Sequence, residues 1–356
     1  MFGKRLDAPR RATIRDVADR AGVSTAAASK VLRGAYGVSE SMRTRVRAAM
    51  DELDYRPNAA ARGLRGKTYT IGVMLSDIHN PYFGVLTDGV RDKLGPAGYE
   101  MLIGPGGASP RSQRAMIDAL IDRGMDALVV IAPVIPGEVL DQTGRQIPTV
   151  VVGRHGLGRI RTYDTVAGDD RRGSSIIVDH LVGLGHRRIL HLTNGNDGAD
   201  EPESPEYVRA EGYREAMRLH GLEEHIDVRV APWSDAGGRE IGRQILAMSD
   251  PPTAVHAGAD VAAFGLLAEL WAAGVDVPGD ISIVGYDNSP MASMPPIHLT
   301  SVDQSGHRMG ELAAEVLLER LEGRDAPRAV RIEPRLMTRG TTSSPPQEPR
   351  GQSSPL

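Results

Sequence analysis

Apolar residues recur at helical spacing near the start of the chain. One face of a helix is formed by four residues at positions i, i+3, i+4 and i+7: Ile14, Val17, Ala18 and Ala21. Thr13 can cap this helix, with Asp16 three residues later as in a capping box. The pattern therefore predicts a helix from Thr13 to Arg20, ended by Gly22.

Two further helices follow. Ser24 can cap the segment "TAAASKVL", and Ser39 can cap a third helix. The residues expected to face inward in these two helices are Ala28, Val31, Leu32, Val46, Met50 and Leu53. Three short helices with a glycine turn between the first two predict an all-α helix-turn-helix domain.

The pattern changes from Thr68 onward. Apolar runs alternate with helical stretches, and the runs are "YTIGVML", "EMLIGP", "ALVVIAP", "TVVVGR", "RILHLTN", "AVHAG" and "SIVGYD". Near-continuous apolar runs are typical of strands buried on both faces of a parallel sheet. The segments "RSQRAMIDALIDRG" and "VAAFGLLAELWAAG" have the character of crossover helices. Because the series pauses at 153–172 and restarts, it predicts an α/β body of two doubly wound lobes.

These patterns predict a multidomain chain. The expected parts are a disordered arm at 1–11, the helix-turn-helix domain at 12–56, a connector at 57–67, the body at 68–340 and a disordered Ser/Pro-rich tail at 341–356. Within the body we expect an N-lobe at 68–165 and 299–326, and a C-lobe at 166–298 and 327–340.

Charge is distributed unevenly between these parts. Residues 1–67 contain 15 Lys and Arg against 7 Asp and Glu, while the whole chain has a net charge of −4. The head is therefore basic and the body acidic, as expected when only the head meets a polyanion. No cysteine is present, which excludes disulfides and thiol chemistry. With no long apolar run and no secretion signal, we expect a cytoplasmic protein without a membrane partner.

The second helix of such a domain enters the major groove of DNA. Its outward positions are Thr25, Ala26, Ser29 and Lys30. Thr25 and Ala26 suit a thymine methyl, and Lys30 can reach guanine acceptors. The side chains that suit phosphate contacts are Thr13, Ser24, Ser29 and Arg33. The alternative for this bundle is a module that docks another protein, which the basic charge disfavours.

At these residues the chain resembles the lactose-repressor/galactose-repressor family of bacterial transcription regulators. The motifs are "TIRDVADRAGVSTAAASKVL", "VSESMRTRVRAAMDELDYRPNAAARGLRG", "TIGVMLSDIHNPYF", "LVGLGHRRILHL" and "SIVGYDN", in this order. The resemblance implies a body like that of periplasmic binding proteins. It also implies a repressor that binds a pseudo-palindromic operator as a homodimer, or as a tetramer of dimers, under control of a small effector such as a sugar.

The resemblance also assigns a role to the connector. In the family, the segment matching Asn58–Arg65 becomes a helix only when two copies meet in the minor groove. The leucine matching Leu64 then wedges into a base step, and wedges of this kind kink the duplex. Ala61 and its alanine neighbours allow close approach, while Arg62 and Arg65 neutralise phosphates. The alternative is a plain flexible linker.

The resemblance places an effector site where ligands bind in such lobes, at the carboxyl ends of the strands. The residues implied are Asn80, Tyr82, Phe83, Asp169, Arg209, Trp233 and Asp287, and Asp170 can stand in for Asp169. For one of Tyr82 and Phe83 the alternative is capping of the sheet edge. For Asp169 and Arg209 the alternative is an ion pair between the lobes. Gly153 and Ala259 stand where many members have aspartate and asparagine, so two polar contacts of sugar-binding members are missing.

The sequence favours a regulator over an enzyme. The G-x-S-x-G elbow and the G-x-x-x-x-G-K-[ST] loop are absent, and no histidine pair has metal-ligand spacing on a helix. We therefore expect no catalysis, cofactor or metal site, and a structural role for His186 and His191. The alternative is a stand-alone sugar receptor of the periplasmic type, which shares the body but has no DNA-binding head.

The connector hypothesis yields a direct test. Leu64→Ala removes the apolar wedge, so we expect weaker operator binding and a smaller bend in the DNA. Circular-permutation gel shifts measure that bend. An unchanged bend angle in the Leu64→Ala complex would refute the wedge role.

Overall fold

The computed structural model describes residues 12–32, 36–55, 67–156, 161–195 and 202–346. The chain divides into two compact units, Met1–Thr68 and Tyr69–Leu356. In chain order the helices are α1 Ile14–Ala21, α2 Thr25–Leu32, α3 Glu40–Glu52, α4 Pro81–Leu94, α5 Pro110–Asp122, α6 Gly137–Gln146, α7 Asp170–Gly183, α8 Pro205–Leu219, α9 Asp235–Leu246, α10 Asp260–Ala272 and α11 Gly306–Leu321. The strands are β1 Thr70–Leu75, β2 Glu100–Pro105, β3 Ala127–Ile131, β4 Thr149–Val152, β5 Asp164–Gly168, β6 Ile189–Thr193, β7 Asp227–Val230, β8 Ala254–Ala257, β9 Ser282–Asp287, β10 Thr300–Asp303, β11 Ala329–Ile332 and β12 Arg335–Met337.

The first unit is the predicted bundle of α1, α2 and α3. The capping box at α1 is formed, since the Asp16 amide donates to Thr13 Oγ1 and the Thr13 amide donates to Asp16. Gly22 ends α1 at φ 63°, a left-handed conformation that glycine adopts without a steric penalty. The core consists mainly of small side chains, which let the helices approach closely: Val17, Ala18, Ala21, Ala28, Val46 and Ala49.

The second unit contains the two predicted lobes. The N-lobe sheet has the order β11-β5-β4-β3-β1-β2, and all its pairs are parallel. The C-lobe sheet has the order β12-β10-β9-β8-β6-β7 and is parallel except for β12, which runs antiparallel to β10. In each lobe the strand order reverses between the first and third strands. Such reversals create a crevice at the carboxyl ends of the strands.

The chain crosses between the lobes at three places, and these correct the predicted boundaries. β5 belongs to the N-lobe sheet and ends at Gly168, whereas we expected the C-lobe to begin at 166. β10 pairs with β9 in the C-lobe, although 299–326 was assigned to the N-lobe. β11 pairs with β5 in the N-lobe, although 327–340 was assigned to the C-lobe. β5, β10 and β11 have only four or five residues, and their sequences lack the near-continuous apolar runs from which the other strands were predicted.

The predicted disordered tail begins too early. Thr341 is buried, and its hydroxyl donates to the Ile283 carbonyl at 2.7 Å. The Ser343 amide donates to Ser282 Oγ at 3.1 Å, and the Ser343 carbonyl lies 2.9 Å from Nε2 of His186. Residues 341–343 therefore belong to the C-lobe, and His186 has the expected structural role. The predicted tail from 347 onward and the predicted arm at 1–11 lie outside the described residues.

Within the described ranges, no helix combines the length and the apolar character needed to cross a membrane.

Candidate functional site

A cavity of about 340 Å³ lies between the lobes at the carboxyl ends of their strands. From the N-lobe it is lined by the loop after β1, by the residues after β3 and by Gly153 after β4. From the C-lobe it is lined by Asn194 after β6, Ala259 after β8 and Asp287 after β9. The two crevices thus form one cavity of a size typical of small-molecule sites.

Six of the seven residues implied as effector contacts line this cavity: Asn80, Tyr82, Phe83, Arg209, Trp233 and Asp287. Asp169 does not, and this expectation was wrong. Its carboxylate accepts from the Arg172 amide at the start of α7 and lies 3.5 Å from Arg331. The next residue, Asp170, is the one connected to the cavity.

Arg209 is the central cation of the site. It lies on α8, and its side chain is 6% exposed. Its Nε donates to Asp170 Oδ1 at 2.8 Å, and its Nη1 donates to the Gly258 carbonyl at 2.6 Å. The guanidinium carbon lies 3.7 Å from the ring centre of Tyr286 and 4.8 Å from that of Trp233. Two aromatic faces and one carboxylate therefore hold the guanidinium in a fixed position.

Asp170 links Arg209 to the opposite lobe. Its second oxygen lies 2.7 Å from Nε2 of His155, which follows β4 of the N-lobe. Burial alone would raise the pKa of Asp170, but the charge of Arg209 and the hydrogen bond from His155 outweigh burial and hold that pKa well below its ordinary value. Burial would lower the pKa of Arg209, yet the charge of Asp170 keeps it raised. A chain of hydrogen bonds thus runs from Arg209 in the cavity through Asp170 to His155 of the N-lobe.

Asp287 occupies the other side of the cavity in a strained turn. Its φ is 120°, and Asn288 follows at φ 49°. One carboxylate oxygen accepts from Gln304 Nε2 at 2.7 Å, where the chain crosses from β10 to α11. Burial raises the pKa of Asp287 well above its ordinary value. A strained backbone conformation of this kind persists only where the hydrogen bonds around it hold the chain in place.

Asp260, in the first turn of α10, holds the loop that follows Asp287 through three hydrogen bonds. Its carboxylate accepts from the amide and the hydroxyl of Ser289, at 2.7 and 2.8 Å, and from the Ser301 hydroxyl at 2.6 Å. Burial nevertheless raises its pKa to about 6. Asp260 therefore fixes the loop that carries Asp287.

The two departures from the family pattern also face the cavity. Gly153 presents only hydrogen, and Ala259 presents a methyl group. Ala259 stands at the N-cap of α10 without a side-chain hydrogen bond to the helix. Sequence reasoning missed His155 and Gln304 as parts of the site, because neither belongs to a spaced motif. Only their positions just beyond strand ends connect them to the cavity.

The candidate DNA interface lies on the first unit. Thr25, Ala26 and Lys30 are exposed on α2, and Ser29 is half-buried. Thr13 is exposed at the start of α1, while Ser24 caps α2 by accepting from the Ala27 amide at 3.2 Å. The remaining residues predicted for DNA contact lie outside the described residues: Arg33, Asn58, Ala61, Arg62, Leu64 and Arg65.

Comparisons with known proteins agree with this arrangement. Residues 13–58 match the family described as bacterial regulatory proteins, lacI family, and residues 178–342 match the periplasmic binding protein-like domain. The transcriptional regulator GalR of Escherichia coli K12 is 32% identical over 340 residues, which cover 95% of this chain and 97% of GalR.

Two solved structures are also similar. One is a LacI transcriptional regulator from a Rhodococcus species, with 30% identity and a TM-score of 0.71, covering 78% of this chain and all of that one. The other is the Lac repressor dimer bound to operator and an anti-inducer, with 24% identity and a TM-score of 0.79, covering 94% of this chain and all of that one. At this identity the second likeness concerns the fold alone.

Asp260 makes a pH-dependent contribution to stability. Because its pKa rises from 3.8 unfolded to about 6 folded, the native state binds more protons than the unfolded state between these values. Raising the pH from 4 to 6 should therefore lower the free energy of unfolding of the wild type relative to Asp260→Asn, by about 2 kcal/mol. Urea unfolding at a series of pH values measures this difference.

The exposed Asp122 provides the matched control, since Asp122→Asn should leave the pH profile of stability unchanged. A constant difference between wild type and Asp260→Asn across this pH range would contradict the assignment.

Proposed function

The chain belongs to the LacI family of bacterial regulatory proteins and is a DNA-binding transcriptional regulator, and we propose that a small molecule in the interlobe cavity controls its binding to an operator. It acts as a repressor, and two copies of the chain bind a pseudo-palindromic site. The observation that carries this proposal is an exposed helix α2 on a basic head, joined in one chain to a ligand-sized cavity.

The exposed face of α2 fits the major groove. Thr25 and Ala26 are short enough to approach a thymine methyl, and Lys30 can extend towards guanine. Thr13 and Ser24 lie at helix N-termini, where the helix dipole favours a phosphate. Their hydroxyls already serve as caps, so contact with phosphate would add to these bonds rather than replace them.

Control by the cavity rests on the hydrogen bonds that Asp170 makes to Arg209 and His155. A ligand that contacts Arg209 changes the balance between its bonds to Asp170 and to the Gly258 carbonyl. Because Asp170 also holds His155, the ligand acts on the relation between the lobes. The connector at 57–67 leads directly into β1, so a change in lobe geometry bears on whether its helix forms.

The assembly and location follow the same reasoning. The Lac repressor structure is a dimer on operator, which supports a homodimer here; a tetramer is an extension of that unit. DNA as the partner supports a cytoplasmic location and a role without catalysis. A stand-alone receptor of the periplasmic type is disfavoured because the DNA-binding head is present.

Lys30 should contribute to sequence preference. Lys30→Ala is expected to cost about 1–3 kcal/mol on an operator selected from a random duplex pool, and less on random DNA, because a base contact is lost. Fluorescence anisotropy at fixed salt measures both affinities. Arg47→Ala, which removes an exposed charge from α3, should leave their ratio unchanged. An equal loss on both duplexes with Lys30→Ala would show that Lys30 meets only phosphate.

Arg209 should transmit the ligand signal. We expect Arg209→Ala to bind operator normally without ligand but to lose its response to any compound that raises the wild-type Tm. Arg214→Ala is the control on the same helix, where Arg214 pairs with Glu211. Because Arg209→Ala leaves Asp170 buried with only His155, the double variant Asp170→Asn/Arg209→Ala guards against misfolding. A retained ligand response in these variants would remove Arg209 from the site.

A further inference from the structure

A further contact between the lobes lies beside the cavity. Its members are Arg154 and Arg161, between β4 and β5 of the N-lobe, and Glu203, between β6 and α8 of the C-lobe. All three side chains are buried. None of the three lines the cavity, although their chain neighbours Gly153 and Pro205 do. The contact is therefore adjacent to the ligand site without being part of its wall.

The carboxylate of Glu203 meets two guanidinium groups of the opposite lobe. Nη2 of Arg161 donates to its Oε1, and Nε of Arg154 lies 3.6 Å from its Oε2. The Glu203 carbonyl also accepts from the His155 amide at 2.9 Å. One residue of the C-lobe thus bonds to the N-lobe through both its side chain and its main chain.

The N-lobe holds the two arginines in position. Nη1 of Arg154 donates to the Ile135 carbonyl at 3.0 Å. Nη1 of Arg161 donates to the Tyr163 hydroxyl, and the guanidinium carbon of Arg161 lies 5.1 Å from the centre of the Tyr163 ring. Both guanidinium groups are therefore oriented by their own lobe before the other lobe approaches.

Positive charge accumulates on the N-lobe side of this contact. A Cβ placed on Gly137, the first residue of α6, would lie 3.5 Å from Arg154 Nη2 and 3.8 Å from Arg161 Nη1. Two cations thus lie close to the N-terminus of a helix, where the helix dipole is also positive. Burial lowers the pKa of Arg154, as expected for a cation removed from water. Glu203 brings a negative charge from the other lobe to this site.

Buried ions between two surfaces favour two discrete arrangements. When the surfaces touch, the charges are paired; when the surfaces are well apart, water hydrates each charge. At small separations the charges have lost their partners before water can replace them, and a buried charge without its partner is strongly unfavourable. An interface of this kind is bistable rather than continuously deformable.

We propose that Arg154, Arg161 and Glu203 form a latch that holds the two lobes together independently of any ligand. The latch goes beyond the proposed function, because it sets the resting geometry of the body whatever the cavity binds. Since α8 begins at Pro205, the latch also fixes the start of the helix that carries Arg209.

The distance between the lobes provides the readout. The chain has no cysteine, so two introduced cysteines carry spin labels at defined positions. Asp122→Cys at the end of α5 labels the N-lobe, and Leu219→Cys at the end of α8 labels the C-lobe, where Leu219 is 79% exposed. Labelled full-length chain is mixed with an excess of unlabelled chain, so that each pair of labels reports one molecule. Pulsed electron–electron double resonance then gives the distance distribution without ligand.

Glu203→Gln in the labelled background removes the negative charge of the latch. We expect a second population of molecules at a distinct interlobe distance, beside the population of the parent protein. The double variant Arg161→Gln/Glu203→Gln removes one charge of each sign, so it guards against misfolding caused by an unbalanced buried cation. It should show the same second population. Glu211→Gln is the matched control, because Glu211 pairs with Arg214 within α8 and not across the lobes.

The double variant decides the outcome. A single distance in that variant, equal to the distance in the parent protein, would overturn the latch. The same second population in Glu211→Gln would also overturn it, because the change would then not depend on the contact between the lobes.

Operator binding is measured on the same samples without ligand. A second interlobe distance with unchanged operator affinity would count against transmission from the lobes to the head, which belongs to the proposed function. The latch would stand in that case, because its readout is the distance alone.

Discussion

A buried positive charge governs the architecture of the cavity. The guanidinium of Arg209 is almost fully removed from water, and an ion in that position must be neutralised by a close partner. Asp170 provides the partner, and its own second oxygen is held by His155 from the other lobe. The requirement to balance one charge therefore joins the two lobes at the site where a ligand would enter. Removing any one member leaves another buried and incompletely paired, which makes the arrangement sensitive to what occupies the cavity.

The connector carries the complementary half of the proposed function, and residues 56–66 lie outside the described residues. The helix expected there from the family resemblance would have about two turns and would include Gly63. Isolated helices of that length are marginal in water, and a glycine costs roughly 1 kcal/mol relative to alanine. Under the proposed function, contacts in the body convert ligand binding into lobe geometry, and the connector converts that geometry into DNA affinity.

The sequence predicted the elements with an uninterrupted apolar pattern and missed strands in which a charged residue interrupts it. The three helices of the head were marked by apolar periodicity and a cap, and seven strands of the body by runs with at least three apolar residues, and all of them are present. The missed strands β5, β7, β10, β11 and β12 have three to five residues, and each contains a charged residue that interrupts its apolar run. The predicted strands β4 and β8 are equally short but contain no charged residue. Three of the missed strands, β5, β10 and β11, decide where the chain changes lobes, so the lobe boundaries moved with them.

The site was predictable where motifs carry it and not where topology does. Arg209, Trp233 and Asp287 belong to segments that the family resemblance marks, and they lie in the cavity. Asp169 and Asp170 are adjacent carboxylates, and only the geometry at the start of α7 directs the second one towards Arg209. The most direct test of the coupling is hydrogen–deuterium exchange of residues 56–66 in the full chain. Three states are compared: the free protein, the operator complex, and the operator complex with an added compound. The compound is one that raises the Tm of the wild type but not the Tm of Arg209→Ala. The account predicts that protection of this segment appears with operator and changes with the compound; the same exchange rate in all three states would contradict it.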